Sequence, residues 1–166
     1  RERSNPPTKL APSTMTQDTP QYSPDGDAVA YLAYASGNAE IWVSNNDGTN
    51  PWQLTHLSGP LPSLPRWSPD GQEIVFGITL GRQSDLYLAP VQGGQIRQLT
   101  HTRLNEGTPS YSREGQWIYF TSDRSGDGQV WKMPAEGGEA AQVTREGGSS
   151  PQESVDGKVL FYLKSK

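Results

Sequence analysis

Short stretches with a two-residue spacing of apolar side chains recur along this chain and predict β-strands. Val29 and Tyr31 stand two residues apart after one glycine-containing turn, and Ile74 and Phe76 stand in the same way after another. A period of two places both side chains on one face of a strand. The pattern therefore predicts an all-β chain of short strands joined by tight turns.

The same pattern returns four times at a nearly constant distance. The copies begin at Pro20, Pro65, Pro109 and Pro151, with periods of 45, 44 and 42 residues. Serine follows three residues after each proline, an acidic residue after five and glycine after six. In the first three copies an aromatic residue stands at twenty-two, glycine at twenty-eight and threonine at thirty-five. A repeat of this length is typical of one blade of a β-propeller.

Two turns divide each copy into strands. In the segment 23–26, Ser-Pro-Asp-Gly, proline presets the φ angle of a type I turn and glycine accepts the positive φ that completes a hairpin. A second glycine-containing turn separates a third strand from a fourth. Each copy is therefore predicted to be a four-stranded antiparallel blade. The predicted segments are a linker at 1–7, an outer strand at 8–11, blades at 19–55, 64–100 and 108–144, and a partial blade at 150–166.

Composition narrows the classes of function. The 166 residues include 14 basic and 18 acidic side chains, so the net charge is −4. Because this charge provides no positive surface for nucleic acid, we expect no nucleic-acid partner. No apolar run approaches the roughly 20 residues that span a bilayer, and we expect no membrane insertion. The absence of cysteine excludes disulfides, thiolate metal sites and thiol catalysis. The 18 glycines and 14 prolines leave little room for long helices.

The repeated residues resemble the WD-like repeats of TolB-type β-propellers. The resemblance is carried by the runs Pro20-Gln21-Tyr22-Ser23-Pro24-Asp25-Gly26, Ile41-Trp42-Val43 and Gln53-Leu54-Thr55. It implies a propeller segment with about three full blades plus partial ones. Because family propellers usually have six or more blades, we expect the remaining blades of a parent protein, or self-association, to cover the open sheet faces. The resemblance also implies a periplasmic or extracellular location, with the cytoplasm as the alternative.

Residues that suggest catalysis or metal binding are better explained by the repeat. The serine of each turn is present in all four copies, and no Gly-x-Ser-x-Gly elbow accompanies it. His56 and His101 occupy equivalent positions in successive copies, and two histidines alone make a poor zinc site. We therefore predict no catalytic residue, no metal site and no cofactor.

Function is expected where the copies differ from one another. In a propeller, the loops between second and third strands and those between blades gather at one end, which we call the variable-loop rim. Its predicted segments are 34–38, 56–64, 80–84, 101–108 and 123–127. Predicted binding residues are Arg82, Arg103, Asp123 and Arg124 in these loops, Arg66 near the channel, and Trp52 and Trp117 outside the shared aromatic positions.

These observations predict a non-catalytic interaction module that binds a protein or peptide through the variable-loop rim. One alternative is an accessory or gating propeller of a prolyl-oligopeptidase-like peptidase or another multidomain enzyme. A second is the sensory propeller of a bacterial regulator or kinase. A third is a glycan-binding propeller, in which Trp52 and Trp117 would contact sugar rings.

Overall fold

The chain folds into sheets that follow one another along the sequence. A computed structural model describes residues 16–35 and 37–164, and within these ranges it contains fourteen strands and no helix. The strands form three four-stranded sheets and one two-stranded sheet. Accordingly, the described part contains no helix able to cross a membrane. The all-β prediction is confirmed, whereas the predicted linker at 1–7 and outer strand at 8–11 lie outside the described residues.

Within each sheet the strands are hydrogen-bonded in chain order and run antiparallel. Strands β1 to β4 are Thr16–Tyr22, Ala28–Ala35, Asn38–Asn45 and Trp52–Gln53. Strands β5 to β8 are Leu61–Trp67, Glu73–Leu80, Gln83–Pro90 and Arg97–Gln98. Strands β9 to β12 are Glu106–Tyr111, Trp117–Ser122, Gln129–Pro134 and Ala141–Gln142, and β13 and β14 are Ser149–Glu153 and Leu160–Leu163. These sheets are the blades of a partial propeller, and the predicted blade limits stay a prediction.

The serine-containing turns close the first hairpin of each sheet through local hydrogen bonds. Ser23 Oγ donates to Asp25 Oδ1 at 2.5 Å, and the Ala28 backbone N–H donates to Ser23 Oγ at 2.9 Å. Gly26 has a φ of +82°, which a residue without a Cβ adopts at little cost. The serine is thus a turn residue, and its recurrence follows from the recurrence of the turn.

Each innermost strand carries the same backbone irregularity just before its proline. The preceding residue has a φ between +46° and +52°, and the register of pairing with the next strand shifts at this point. These residues are Thr19, Leu64, Thr108 and Ser150. A bulge of this kind bends a strand and leaves the extra residue out of the ladder. All four inner strands therefore bend at an equivalent position.

Apolar side chains from successive sheets pack against each other. Ile41 and Val43 of the first sheet lie in one cluster with Ile74 and Phe76 of the second. A second cluster, between the second and third sheets, includes Leu88 and Phe120, among others. Because the core lies between neighbouring sheets, each blade is stabilised by its neighbours.

The contact between the third and fourth sheets uses a charged residue. Glu153 stands where the other copies have an aromatic residue, and it accepts hydrogen bonds from Tyr119 Oη at 2.8 Å and the Arg113 backbone N–H at 2.7 Å. Burial and this bond raise the pKa of Tyr119 to about 12. On β14, Phe161 and Leu163 remain 61% and 66% exposed.

Candidate functional site

The antiparallel topology separates two ends of the stacked sheets. The serine-containing turns lie at one end, which we call the turn end. The connections between second and third strands and between successive sheets lie at the other end, the variable-loop rim. Loops that differ among the copies thus share one end of a regular scaffold, where recognition residues are commonly found.

Next to the rim, each four-stranded sheet contains a buried group of hydrogen-bonded side chains, which we call the clamp. Thr55 Oγ1 accepts a hydrogen bond from the Ile41 backbone N–H at 2.9 Å and donates one to Glu40 Oε2 at 2.5 Å. The same arrangement links Thr100 with Leu86 and Asp85, and Thr144 with Val130 and Gln129. Sequence reasoning found the threonine and missed its polar partner, although that partner stands twenty residues after the proline in all three copies.

The clamp also fixes the connections that lead to the next sheet. Glu40 Oε1 accepts hydrogen bonds from the backbone N–H groups of Leu57 at 2.7 Å and Ser58 at 3.3 Å. Gln129 Oε1 accepts one from the Gly147 N–H at 3.1 Å. The rim is therefore attached to the buried core, so that residues on it are held in defined positions.

Exposed apolar and cationic side chains occur together on the rim. Leu80 and Leu61 are 70% and 54% exposed, and Tyr34 and Leu104 are also exposed. Two of the predicted binding residues, Arg82 and Arg103, are exposed at the same end, with no ion-pair partner among the residues described. Sequence reasoning missed the leucines, because an apolar residue at a strand end looks like part of the core pattern.

Asp123 is engaged within the rim. Its two carboxylate oxygens accept hydrogen bonds from the backbone N–H and the side-chain Nδ2 of Asn105, both at 2.8 Å. The side-chain bond from Asn105 is the main reason that the pKa of Asp123 lies below its ordinary value. Asp123 thus ties the loop after β10 to the connection that precedes β9.

Arg124 is also held by internal contacts. Its guanidinium forms an ion pair of 3.0 Å with Glu106, whose side chain is 0% exposed. It also lies over the rings of Phe120 and Trp131, at 5.3 and 4.9 Å from their centroids. Through these contacts Arg124 joins strands β9, β10 and β11 of the third sheet and holds them in position.

Trp52 and Trp117 do not form a common surface. Trp52 is in the outermost strand of the first sheet, and Trp117 begins the second strand of the third sheet. Lys132 Nζ lies 4.4 Å from the centroid of one ring of Trp117. A stacking platform built from both tryptophans is therefore absent from the described structure.

Arg66 faces a groove between the inner strands at the turn end. The groove has a volume of about 780 Å³ and is lined by residues from all four sheets. Arg66 is half-buried, and burial lowers the pKa of its guanidinium. The structure thus places Arg66 apart from the other predicted arginines, which lie on the rim.

Histidine and carboxylate groups are not gathered into a metal site in the part of the chain that the structure describes. No group of three or more His, Cys, Asp or Glu side chains has a geometry suited to a metal ion there. His56 and His101 are exposed on the connections that follow the first and second sheets. The two histidines occupy the same position in successive copies, directly after the Leu-Thr pair, so the repeat itself accounts for their presence.

Comparison with known proteins identifies the family. The family model of the TolB beta propeller domain matches residues 5–166. The chain belongs to this TolB β-propeller family. The Tol-Pal system protein TolB of Bordetella pertussis is 34% identical over 115 residues, which cover 69% of this chain and 26% of that protein. The chain therefore spans only part of its curated relatives.

Solved structures share this fold. The putative TolB of Agrobacterium tumefaciens has a TM-score of 0.82 and 26% identity, over 95% of this chain and 57% of that one. TolB of Acinetobacter baumannii has a TM-score of 0.76 and 22% identity, over 89% of this chain and 37% of that one. An oligogalacturonate lyase and a puromycin hydrolase share the fold at 23% and 17% identity, and at that level the likeness shows the fold alone.

Proposed function

We propose that this TolB-type propeller segment is a non-catalytic module that binds a protein or peptide through the variable-loop rim. The observation that supports the proposal is the exposure of Leu61, Leu80, Arg82 and Arg103 on one end of a rigid scaffold. Exposed apolar side chains beside arginines are typical of protein-binding surfaces. The name of the Bordetella relative, a Tol-Pal system protein, places that relative in a system of proteins.

The rim chemistry defines the partner that fits it. Binding is favoured when a partner removes leucine side chains from water, by about 1.5 to 3 kcal/mol for each one that becomes fully buried. Arg82 and Arg103 lie at the same end and favour carboxylates around the contact. The partner is therefore an apolar segment flanked by acidic residues, and the affinity should fall as salt increases.

Site-specific photocrosslinking tests the use of the rim. A photoreactive benzoyl-phenylalanine at position 80 is compared with one at Val159, which is also exposed but lies between β13 and β14, at the turn end. In cell-envelope extract of the source bacterium, crosslinking to one defined protein is expected from position 80 only. The variant Leu80→Ser with Arg82→Ser should lose that protein in a pull-down, whereas Val159→Ser should retain it. Equal capture from both positions would contradict the proposal.

The location and the neighbours of this segment are part of the proposal. We propose a periplasmic or extracellular location, in keeping with the Tol system to which the resemblance points. We also propose that further blades of a parent protein cover Phe161 and Leu163, with self-association as the alternative. Light scattering distinguishes the two, because self-association predicts a mass of twice 18.2 kDa or more that falls on dilution.

The absence of catalysis is proposed for this segment and not for a parent protein. An accessory role beside a peptidase or another enzyme, or a sensory role in a regulator or kinase, is compatible with the same rim. Glycan binding would require a stacking surface, and the separation of Trp52 from Trp117 makes it the weaker alternative. Turnover of peptide or glycoside substrates by the purified chain would refute the non-catalytic assignment.

A further inference from the structure

The groove at the turn end is a second candidate site, distinct from the rim. Its volume of about 780 Å³ falls within the range of roughly 300 to 1,000 Å³ that is usual for ligand sites. The inner strands of all four sheets contribute to it. Side chains that matter for its chemistry are Tyr22, Arg66, Trp67, Tyr111, Arg113 and Glu153.

The lining of the groove has an excess of positive charge. Arg66 and Arg113 contribute two guanidinium groups, and Glu153 is the only acid among the described residues that line the groove. Both oxygens of Glu153 already accept hydrogen bonds, from Tyr119 and from the Arg113 backbone. The Arg66 guanidinium has no hydrogen-bond or ion-pair partner within residues 16–35 and 37–164. A cationic groove is thus present in a chain whose net charge is −4.

Arg66 departs from the repeat at a place where the scaffold does not require a charge. The equivalent residues of the other copies are Gln21, Ser110 and Gln152, all of them neutral. Arg113 likewise stands where the first two copies have proline. Although half-buried, Arg66 keeps its charge, because a guanidinium does not lose its proton in proteins. Partial burial removes some water from this unpaired charge, and a ligand of opposite charge would offset that cost.

These features select a particular ligand chemistry. A guanidinium matches a carboxylate through two parallel hydrogen bonds. The aromatic side chains of Trp67, Tyr111 and Tyr22 provide apolar walls for the rest of a peptide. A long polyanion such as nucleic acid would be repelled by the negative net charge of the chain. We propose that this groove binds an acidic peptide segment of a protein partner, with Arg66 holding a carboxylate and Arg113 adding positive charge at the groove.

Titration by NMR with a defined probe tests the proposal on the full 166-residue chain. The probe is the acetylated and amidated peptide Gly-Glu-Tyr-Glu-Gly, and its control is the same peptide with glutamine in place of glutamate. The acidic peptide should give saturable shifts of the Arg66 Nε–H signal and of inner-strand amides. Arg66→Gln should weaken binding about tenfold, the size expected when a charged hydrogen bond is lost. Arg97→Gln, on the outermost strand β8 and outside the groove, should leave the affinity within about twofold.

The design separates failure of this site from failure of the fold or of the rim. Glutamine stands naturally at the equivalent position of two other copies, so Arg66→Gln should fold, and its unchanged amide spectrum outside the groove verifies this. Equal binding of the glutamine peptide, or unchanged binding to Arg66→Gln, would overturn the proposal. Tighter binding of a single-stranded hexathymidylate than of the acidic peptide would overturn it as well. None of these outcomes depends on the rim crosslinking result.

Discussion

The buried hydroxyl of Thr55 offers the sharpest test of the repeated clamp. Thr55 is 0% exposed, and its hydroxyl links the Ile41 backbone N–H to the carboxylate of Glu40. The substitution Thr55→Val preserves the shape of the side chain and replaces the hydroxyl with a methyl group. It therefore isolates the hydrogen bonds from the packing of the residue.

The expected loss follows from these two bonds. Leaving the buried N–H of Ile41 without a partner costs about 1 to 3 kcal/mol, and losing a bond to a charged acceptor about 1.5 to 3 kcal/mol. Because one hydroxyl makes both bonds, the losses are not fully additive. We expect Thr55→Val to lower the free energy of unfolding by about 3 to 5 kcal/mol, a large part of the 5 to 15 kcal/mol typical of a domain.

Equilibrium unfolding in urea, followed by tryptophan fluorescence and circular dichroism, measures this loss. Thr55→Ser is the matched control, because it keeps the hydroxyl and removes one methyl group at a cost of about 1 kcal/mol. The clamp predicts that the valine variant is clearly less stable than the serine variant. Equal stability of the two variants, or a more stable valine variant, would refute the reasoning.

Three further predictions concern the sheet contacts and the third sheet. A Cβ on Gly148 would lie 2.8 Å from Thr144 Oγ1, so Gly148→Ala should lower the free energy of unfolding by about 1 to 3 kcal/mol, as measured by thermal unfolding. The control is Gly107→Ala, where a Cβ would meet no atom within 4 Å, and it should cost less than about 1 kcal/mol. Folding raises the pKa of Tyr119 from 10.0 to about 12, because the folded state favours the protonated phenol. The stability that Tyr119 contributes is therefore fully present below pH 10 and is lost as the pH rises from 10 towards 12. In an absorbance titration, Glu153→Gln should lower that pKa, and an unchanged value would contradict the contact. Arg124→Ala should cost about 3 kcal/mol by breaking the buried pair, and a urea midpoint equal to wild type would disprove its positioning role.

The fold could be predicted because the information for it is repeated. Proline, serine, glycine and threonine return at fixed offsets, and these offsets specify turns and strands irrespective of the rest of the chain. The polar partners of the threonines, Glu40, Asp85 and Gln129, differ in residue type. Without the fold, a buried polar residue within a strand is indistinguishable from one on the exposed face, which is why the clamp was missed.

The candidate site was less predictable, because contacts between distant residues decide which side chains are available. Arg124 and Glu106 are 18 residues apart, and only the pairing of β9 with β10 brings them together. Nothing in the repeat marks Glu106, since it has no equivalent acid in the other copies. Arg82 and Arg103 have no such partner in the described structure, and their binding role stays a prediction.

Hydrogen–deuterium exchange with and without the crosslinked partner tests the central claim most directly. If the loops that differ among blades bind the partner, the partner should slow the exchange of backbone amides in the rim segments 80–84 and 101–108. Exchange in the outermost strands β4, β8 and β12 should be unchanged by the partner. Protection confined to those outer strands, with none on the rim, would contradict the account.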